Sequence, residues 1–534
     1  MAEKSNRSQL LKSSFGTALA TLASRALGLL RVALEARVLG GGDICSAWHF
    51  ATSIPNLFRR LLGEGALGAA LIPLIAETEK TKGPDEVRRE LGIIFATLGA
   101  ILAAIVILLG GGAWILERAT AGATGMFGTL RMRICLQLLP ILMPYAFFIC
   151  LVGVIGSVLN YSRVFVLPAL GALLMNIFLV GGLYYLRQAS GGKLDDVAAF
   201  LPFLAILVLI SGAVQLVLML VLLAAYGRFP RWSLRKFRDL GVAKKLFKLA
   251  LPGIIGGAAL QMSFLVDRWI AMWLGARAVP ALTFVDRIVD VPIGIFAMSL
   301  STVLMAAMAR SALESNEKLA DDLAFGLRHV CFMCIPLAML VIFFHEPMLR
   351  LLCRGGNYTE RDLEAAHLVA VFYGMGIPFF CSLKVILPAF FARKIMDKPL
   401  YCSLTAISIN IVLNLILMHP LEQGGIALAT TVASLVHNTL LLILLHRGGV
   451  SLRPREVVPC CARSLLLALL TGGGAFLLHR YFRGAGERSW WSELALLVAA
   501  VSLFGGSYFS GAVLFRAREP KEFLGMLRRR KNGA

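Results

Sequence analysis

Long apolar runs dominate the pattern of hydrophobic and polar positions along the chain. Most of them continue for about 20 residues, the length that a helix needs to cross the hydrocarbon core of a bilayer. Alternating ten-residue segments, the pattern of outer-membrane barrels, do not occur. The pattern therefore predicts an all-α integral membrane protein with about fourteen spanning helices. The predicted spans are 14–40, 45–76, 90–116, 134–159, 164–186, 198–226, 245–274, 280–309, 326–345, 365–392, 399–418, 424–446, 460–480 and 490–515.

An even number of spans places both ends of the chain on one side of the membrane. By this assignment about 33 Lys and Arg lie in the even-numbered loops and the termini, against about 12 in the odd-numbered loops. Because positively charged loops stay in the cytoplasm, we expect both termini to be cytoplasmic. The basic C-terminal tail would then lie near anionic lipid headgroups.

The sequence also contains a repeat, divided by the basic segment 227–248. In each half the first span ends in a Leu-Gly pair, at Gly40 and Gly275. The next span of each half carries a charged patch and a proline, Pro55 or Pro292. Six spans per half is an even number, so the halves would share one orientation, as in transporters built from parallel repeats.

The repeat predicts how the chain is organised into lobes. We expect an N-terminal lobe over 1–227, a basic cytoplasmic linker over 228–248 and a C-terminal lobe over 249–447. The last two spans and the basic tail, 448–534, fall outside the repeat. In parallel-repeat transporters the substrate site lies between the halves.

Composition supports the membrane assignment and argues against nucleic acid as a partner. Of the 534 residues, 58% are hydrophobic and 16% are charged, against about 25% charged in soluble domains. The mean hydropathy is +0.78. The net charge of +22 lies mostly in short loops, without a basic domain that has interleaved aromatics, so it does not indicate nucleic-acid binding.

Four arginines, Arg25, Arg31, Arg59 and Arg287, lie inside the predicted spans or at their ends. A charge near the middle of a membrane helix costs about 2.5–3.5 kcal/mol on insertion scales, so such residues face a partner or a watery cavity. Glu35 lies one helical turn after Arg31 and can pair with it. One carboxylate cannot neutralise both arginines of the first span. Several cations in one cavity would attract an anionic ligand.

The second predicted span is interrupted. Pro55 and two later glycines break the helix, and broken spanning helices are tolerated where the freed backbone groups line a cavity. Arg59 and Arg60 are adjacent and cannot both face inward. The spacing predicts that Arg60 pairs with Glu64, which leaves Arg59 available, and Asn56 shares a face with Arg59.

Two further groups of polar residues have alternative interpretations. In the eighth span Asp286 and Asp290 share a face while Arg287 projects about 100° away, which fits either a cavity patch or a self-contained salt-bridge cluster. In the eleventh span Asn410 and Asn414 share a face and would either coordinate a cation or hydrogen-bond across helices.

Enzymatic motifs are missing from the sequence. It contains no GxxxxGK[ST] loop for ATP hydrolysis, no HExxH and no cluster of extracytoplasmic acids of the kind that membrane glycosyltransferases use. Most of the ten cysteines lie in apolar runs, where cysteine acts as a small hydrophobe. The CxxC spacing of Cys331 and Cys334 falls within a spanning helix, which does not favour redox or metal chemistry.

Three segments carry a resemblance to a known family. PNLFRRLLGEGA at 55–66 and DRIVDVPIG at 286–294 are the strongest, and LPAFFARKIMDKP at 387–399 is weaker. With the span count, the chain resembles along essentially its whole length the MurJ (MviN) family of lipid II flippases. That family belongs to the multidrug/oligosaccharidyl-lipid/polysaccharide exporter superfamily.

The resemblance implies a transporter and not an enzyme. It implies two six-helix lobes, with a hydrophobic groove formed by the last two helices. Such a protein would move lipid II, the lipid-linked peptidoglycan precursor, from the inner to the outer leaflet of the bacterial cytoplasmic membrane by alternating access. Lipid II and membrane lipids would be its partners, and cell-wall synthesis machinery is a further candidate. No cofactor is expected, and the identity of any coupling cation stays open.

The resemblance also implies a substrate site. The residues that fall on it are the cavity arginines Arg25, Arg31, Arg59 and Arg287 and the acidic residues Glu64 and Asp286, with Asn56 beside Arg59. We expect the arginines of both lobes to bind a pyrophosphate, since guanidinium–phosphate hydrogen bonds are among the strongest in proteins.

The chain departs from the family pattern at two positions. Val32 stands where the family usually has an aspartate after the second arginine, and Ser46 stands where it usually has one before the aromatic residue Trp48. Without these acids the predicted cavity would be more positive. The sequence does not decide which ion pairs form inside it or which ion is coupled to transport.

Other functions compete with this interpretation. A flippase for another polyprenyl-linked polysaccharide would share the arginines, and a drug exporter for cations would favour an acidic cavity instead. A non-transporting scaffold for cell-wall enzymes would not need buried arginines. A membrane enzyme acting on a lipid-linked sugar is disfavoured by the missing catalytic acids.

Overall fold

The computed structural model describes residues 23–63, 66–162, 164, 166–231, 241–294, 298–484 and 489–522. These residues fold almost entirely as helices. The helices are α1 (23–39), α2 (Asp43–Phe58), α3 (Ala66–Lys82), α4 (Pro84–Ala119), α5 (Leu130–Tyr161), α6 (Val166–Ala189), α7 (Leu194–Ala225), α8 (Gly241–Leu274), α9 (Ala278–Pro292), α10 (Met298–Glu314), α11 (Asn316–Cys353), α12 (Glu360–Ala392), α13 (Asp397–Arg447), α14 (Pro454–Arg483) and α15 (Trp490–Leu514).

The all-α membrane fold predicted from the sequence is confirmed. Within the described ranges, nine helical stretches are long and apolar enough to cross a membrane. Within the described residues each predicted span lies mainly on helix, and the eleventh and twelfth lie on the two halves of α13, which bends at Glu422 with a φ of 48°. The start of the first span, before residue 23, lies outside the described residues.

The predicted interruption of the second span is also present, and its form is a π-helical turn. The turn, Arg59–Gly63, lies between α2 and α3. Pro55 lies inside α2 and has no N–H to donate, which weakens the helix just before the turn. A Cβ added to Gly153 of α5 would lie 2.4 Å from the Gly63 carbonyl oxygen, so the close approach of α5 requires glycine there.

The chain divides into two compact units. Unit 1 comprises Met1–Pro280 and Gly355–Thr359, and unit 2 comprises Ala281–Arg354 and Glu360–Ala534. The boundary near residue 280 places α8 in unit 1, where it packs against α2, α3 and α4. The lobes predicted from the sequence follow the repeat instead, and that division stays a prediction.

The short segment Gly355–Thr359 completes unit 1 although it comes late in the chain. The backbone N–H of Asn357 donates to the Arg37 carbonyl at 2.9 Å, and its side-chain Nδ2 donates to the Val38 carbonyl at 2.8 Å. Gly356 has a φ of +65°, and a Cβ there would lie 2.1 Å from the Arg37 carbonyl oxygen. Glycine is therefore required at this contact.

In unit 2, α11 and α12 pack together, α13 packs on α12, and α14 and α15 pack on α11. The Tyr508 hydroxyl of α15 donates to the Phe332 carbonyl of α11 at 2.8 Å, and their rings are 5.4 Å apart. Whether α14 and α15 also form the predicted lipid groove stays a prediction. All ten cysteines are free, and the sulfurs of Cys331 and Cys461 lie 2.8 Å apart between α11 and α14.

Candidate functional site

The Arg31–Glu35 pair predicted from the helix spacing is confirmed. Arg31 Nε lies 3.6 Å from Glu35 Oε1, and the two side chains are 15% and 4% exposed. The indole Nε1 of Trp48 on α2 donates to the same carboxylate oxygen at 3.4 Å. Glu35 therefore joins Arg31 to a fully buried tryptophan, which orients the guanidinium within unit 1.

The pairing leaves much of the Arg31 guanidinium unused. At 3.6 Å, Nε forms an ion pair with Glu35 but no hydrogen bond, and the two terminal nitrogens make no hydrogen bond with any residue of the described ranges. A guanidinium has five N–H donors in a planar fork, so those terminal nitrogens can bind two oxygens of one phosphate. Arg31 is thus oriented by one acid and still has donors for a ligand.

Arg25 lies six residues earlier on α1 and is exposed. It makes no ion pair with the described part of the chain, so Glu35 neutralises Arg31 and not Arg25, as predicted. The start of α1 is held against α6 by Asn176, whose Nδ2 donates to the Ser24 carbonyl at 3.3 Å.

Arg59 and Arg60 are the first two residues of the π-helical turn. Arg60 contacts α8: its Nη1 donates to Gln261 Oε1 at 3.4 Å, and its guanidinium carbon lies 5.7 Å from the centroid of the Phe264 ring. Arg59 is partly buried. The predicted Arg60–Glu64 pair stays a prediction because Glu64 lies outside the described residues.

Asn56 directs a donor to its own helix. Its side-chain Nδ2 donates to the Thr52 carbonyl one turn earlier, at 2.9 Å. The Nδ2 donor of Asn56 therefore serves the last turns of α2, where Pro55 removes a backbone donor. Its predicted role beside Arg59 in substrate binding stays a prediction.

Arg287 and Asp286 lie on α9, in unit 2. Arg287 Nη1 is 3.9 Å from Asp290 Oδ2, and these side chains are 42% and 65% exposed. At that distance and exposure the pair contributes little free energy, on the order of 1 kcal/mol or less. Arg287 is thus paired with Asp290 one turn later, although α9 is too exposed here for a buried salt-bridge cluster.

The structure therefore distributes the predicted site residues over the two units. Unit 1 contains Arg25, Arg31, Asn56 and Arg59. Unit 2 contains Asp286 and Arg287. In unit 1, Glu35 pairs with Arg31.

Both positions that depart from the family pattern are buried. Val32 is 2% exposed and Ser46 is 0% exposed. The Ser46 hydroxyl donates to the Ala276 carbonyl at 2.5 Å, which joins α2 to the end of α8. An aspartate at either position would be a buried carboxylate and would need a buried partner. The neutral residues here avoid that requirement.

Sequence reasoning missed another ion pair of unit 1. Arg131 Nη1 lies 3.1 Å from Asp43 Oδ1, and its Nε donates to the Met272 carbonyl at 2.7 Å. Arg131 thus joins the start of α5 to the start of α2 and the end of α8. Asp43 in the first turn of a helix was a visible signal, since acids favour helix N-termini.

The asparagine pair with open alternatives now has specific contacts, and a second buried polar pair lies on α8. Asn414 donates to Asn410 at 3.1 Å within the first half of α13, and Asn410 donates to Thr430 at 3.2 Å. The Asn410–Thr430 bond therefore joins the two halves of α13. In α8, Arg268 is 4% exposed and donates to the Val279 carbonyl at 3.1 Å, while its neighbour Asp267 is 7% exposed.

A multi-pass helical membrane protein with a broken second span and arginines within its spans belongs to the class of membrane transporters. The fold is that of the multidrug/oligosaccharidyl-lipid/polysaccharide exporter superfamily. A solved structure of the lipid II flippase MurJ in an inward closed conformation matches with a TM-score of 0.72 and 22% identity, over 94% of this chain and 98% of that one. An inward-facing multidrug resistance MATE family transporter of the MOP superfamily matches with a TM-score of 0.66 and 14% identity, over 81% and 98%.

Sequence comparisons identify the family within that class. The model of the family described as lipid II flippase MurJ matches residues 35–490. A probable lipid II flippase MurJ from Vibrio cholerae is 30% identical over 97% of this chain and 98% of its own length. The chain belongs to the lipid II flippase MurJ family.

Proposed function

We propose that this chain translocates lipid II from the inner to the outer leaflet of the bacterial cytoplasmic membrane by alternating access. The observation that carries the proposal is the Arg31 guanidinium, which Glu35 and Trp48 orient while its terminal nitrogens keep their donors. Lipid II presents a pyrophosphate between its sugar and its polyprenyl chain. Family membership supports this substrate, because relatives that match along nearly the whole chain are named for it.

The chemistry of binding follows from the charge and the surroundings. A pyrophosphate has oxygens at the spacing of a guanidinium fork, so Arg31 can donate two parallel hydrogen bonds to it. Away from bulk water these charge-assisted bonds are stronger. Arg25 and Arg59 supply further positive charge in the same unit, and Arg287 is proposed as an additional phosphate-binding residue.

Transport also requires that the substrate be released. The π-helical turn contains Arg59 and lies between two α-helical segments, and such turns are frequent at functional sites. We propose that a change of backbone conformation at this turn moves Arg59 relative to Arg31 and weakens the hold on the pyrophosphate. Val32 and Ser46 are neutral, so neither position provides a carboxylate that could pair with the arginines when the pyrophosphate leaves.

The experiment is a lipid II translocation assay in reconstituted vesicles and in spheroplasts. Arg31→Ala and Arg287→Ala are compared with Arg118→Ala, whose guanidinium lies 3.9 Å over the Trp114 ring at the end of α4. Loss of a hydrogen-bonded charge pair is worth about 1.5–3 kcal/mol, so each test variant should translocate at least about tenfold more slowly. The Arg118 variant should translocate like the wild type.

Complementation identifies the substrate lipid. The wild-type chain should restore growth to a bacterial strain depleted of its lipid II flippase, and Arg31→Ala should not. Failure of the well-expressed wild-type chain would favour another polyprenyl-linked substrate or a scaffold. Wild-type translocation by both arginine variants would show that these residues do not bind the pyrophosphate.

A further inference from the structure

A charged cavity of about 490 Å³ lies at one end of unit 2, far along the chain from the arginines of α1. It is bounded by the C-terminal ends of α11 and α14 and by the first turn of α15. Four arginines and two glutamates line it: Arg350, Arg354, Arg480, Arg483, Glu346 and Glu493. A third acid, Glu360, pairs with Arg350, so the group as a whole carries a net positive charge of one.

The two glutamates arrange the arginines instead of neutralising them all. Glu346 Oε1 accepts from Arg350 Nε at 3.0 Å and from Arg483 Nη1 at 3.2 Å, which joins α11 to α14. Glu493 lies 3.7 Å from Arg354 Nη1. Arg350 Nη1 also donates to Glu360 Oε1 at 2.6 Å, so Arg350 has two acids while Glu346 serves two guanidiniums. Each guanidinium still has further N–H groups.

Arg480 is the arginine of this cavity without such an acid. It makes no ion pair with the residues that the structure describes, and it is exposed one turn before Arg483. Arg480 is exposed and the Arg483 side chain is 27% exposed, so the donors of Arg480 are the more accessible to an anion. Phosphate is the anion that suits this geometry, because paired guanidiniums bind its oxygens bidentately.

The surroundings of the cavity indicate the depth of a membrane interface. Tyr481 and Phe482, which lie between Arg480 and Arg483 in the sequence, are 81% and 56% exposed, and Trp491, two residues before Glu493, is 74% exposed. Trp490 turns its indole N–H inward, to the Leu351 carbonyl at 3.1 Å. Tryptophan and tyrosine are enriched at the headgroup level of membrane proteins, so the cavity opens where lipid phosphates lie.

We propose that this cavity binds the phosphate of an anionic phospholipid. Under the predicted orientation it lies on the extracytoplasmic side, where the chain has only about 12 Lys and Arg in its loops. The positive-inside rule therefore does not account for four arginines converging there. A lipid-borne phosphate would place its headgroup among the arginines and its acyl chains along the exposed aromatic side chains.

The test measures lipid binding by the purified full-length protein in detergent, with native mass spectrometry as the readout. The probes are phosphatidylglycerol, phosphatidylcholine and inorganic phosphate. Wild-type protein should bind phosphatidylglycerol in preference to phosphatidylcholine, because the choline cation would meet Arg480. Arg480→Gln should weaken phosphatidylglycerol binding about tenfold, the effect of losing one charge-assisted contact.

Two further variants keep the result interpretable. Arg187→Gln alters an exposed arginine at the end of α6 in unit 1 and should bind phosphatidylglycerol like the wild type. Arg480→Lys keeps the charge and should retain most of the affinity. If the glutamine variant does not fold, Arg480→Met, which removes the charge and keeps an apolar stem, replaces it as the test.

Two outcomes would overturn the proposal. Equal phosphatidylglycerol binding by the wild type and the folded Arg480 variant would show that the cavity does not hold the lipid. Inorganic phosphate that binds as tightly as phosphatidylglycerol would assign the cavity to a soluble anion. The readout is binding and not translocation, so it is independent of whether the chain moves lipid II.

Discussion

At the scale of single residues, Glu35 is the residue on which the arrangement of α1 depends. Its side chain is 4% exposed, and one of its oxygens accepts a hydrogen bond from Trp48 of α2 and forms the ion pair with Arg31 of α1. The spacing of Arg31 and Glu35 predicted the pair, because residues four apart meet on a helix. Trp48 could not be predicted, because its contact depends on how α2 packs against α1.

Replacing Glu35 with glutamine should destabilise the protein. The substitution keeps the size of the side chain and an oxygen for Trp48, but it removes the negative charge that faces Arg31. A partly buried cation without its counter-ion costs about 1–3 kcal/mol. Thermal unfolding in detergent should therefore show a lower midpoint for Glu35→Gln than for the wild type.

The matched control is Trp48→Phe, which removes the indole donor and leaves the charge pair intact. It tests the hydrogen bond at 3.4 Å separately from the ion pair. If Glu35→Gln and the wild type unfold at the same temperature, the charge of Glu35 does not stabilise unit 1.

At the scale of elements, the π-helical turn of the second span combines local and distant causes. Pro55 and the glycines after Arg60 predicted a break from sequence alone. The widened form of the turn was not predictable, because it depends on the backbone of α5 approaching Gly63. Gly153, which permits that approach, lies 90 residues later in the chain, and a lone glycine in an apolar helix has several explanations.

Gly153→Ala should therefore destabilise the protein and disturb the turn. The added Cβ would lie within 2.4–2.6 Å of the Gly63 backbone, so one of the two segments must move. Overpacking of this kind costs about 1–3 kcal/mol. Thermal unfolding measures the loss, and lipid II translocation should fall as well because Arg59 begins the turn.

Gly181→Ala on α6 is the comparison for this variant. A Cβ at Gly181 meets nothing within 4 Å, so the same substitution should be neutral or slightly stabilising, by up to about 1 kcal/mol. Equal effects of the two substitutions would mean that the contact between Gly153 and Gly63 is not tight in the folded protein.

At the scale of the whole molecule, the apolar pattern was the most predictive part of the sequence. It predicted every helix, because a bilayer imposes both the length and the composition of a span. It did not predict the contact boundary near residue 280, since the repeat marks equivalent segments and not the segments that pack together. Nor did it predict Glu519, which follows the last span and is 2% exposed.

Glu519 anchors the segment after α15 to unit 2. It accepts from Arg463 at 2.6 Å and from Arg328 at 3.5 Å. Glu519→Ala would remove the acceptor of Arg463 and leave Arg328 with the partly exposed Glu456 and Glu522. Breaking a buried pair costs on the order of 3 kcal/mol. Thermal unfolding should show this loss, and limited proteolysis should cleave the C-terminal segment faster.

Glu314→Ala provides the exposed counterpart, since Glu314 pairs with Lys318 at the surface and its side chain is 55% exposed. Exposed pairs contribute about 0–1 kcal/mol, so this variant should unfold like the wild type. Similar unfolding of the two variants would show that the Glu519 contacts contribute no more than a surface pair.

The predicted orientation is a property of the whole molecule and can be tested with single cysteines. Thr124→Cys lies in the loop after α4, and Lys82→Cys lies at the end of α3, where the lysine side chain is 60% exposed. A membrane-impermeant maleimide should label the first in intact cells and the second only after lysis. The reverse pattern would invert the assignment of both termini.

The contacts of Asn357 have a consequence for how the protein is made. Its side chain donates to the Val38 carbonyl across 319 residues of chain. Ribosomes add about 5–20 residues per second, so α1 enters the membrane roughly 15–60 s before these donors exist. A nascent chain stopped at residue 280 would contain every helix of unit 1 up to α8 and still lack its last hydrogen bonds. Unit 1 can reach its final form only after α9, α10 and α11 have been synthesised.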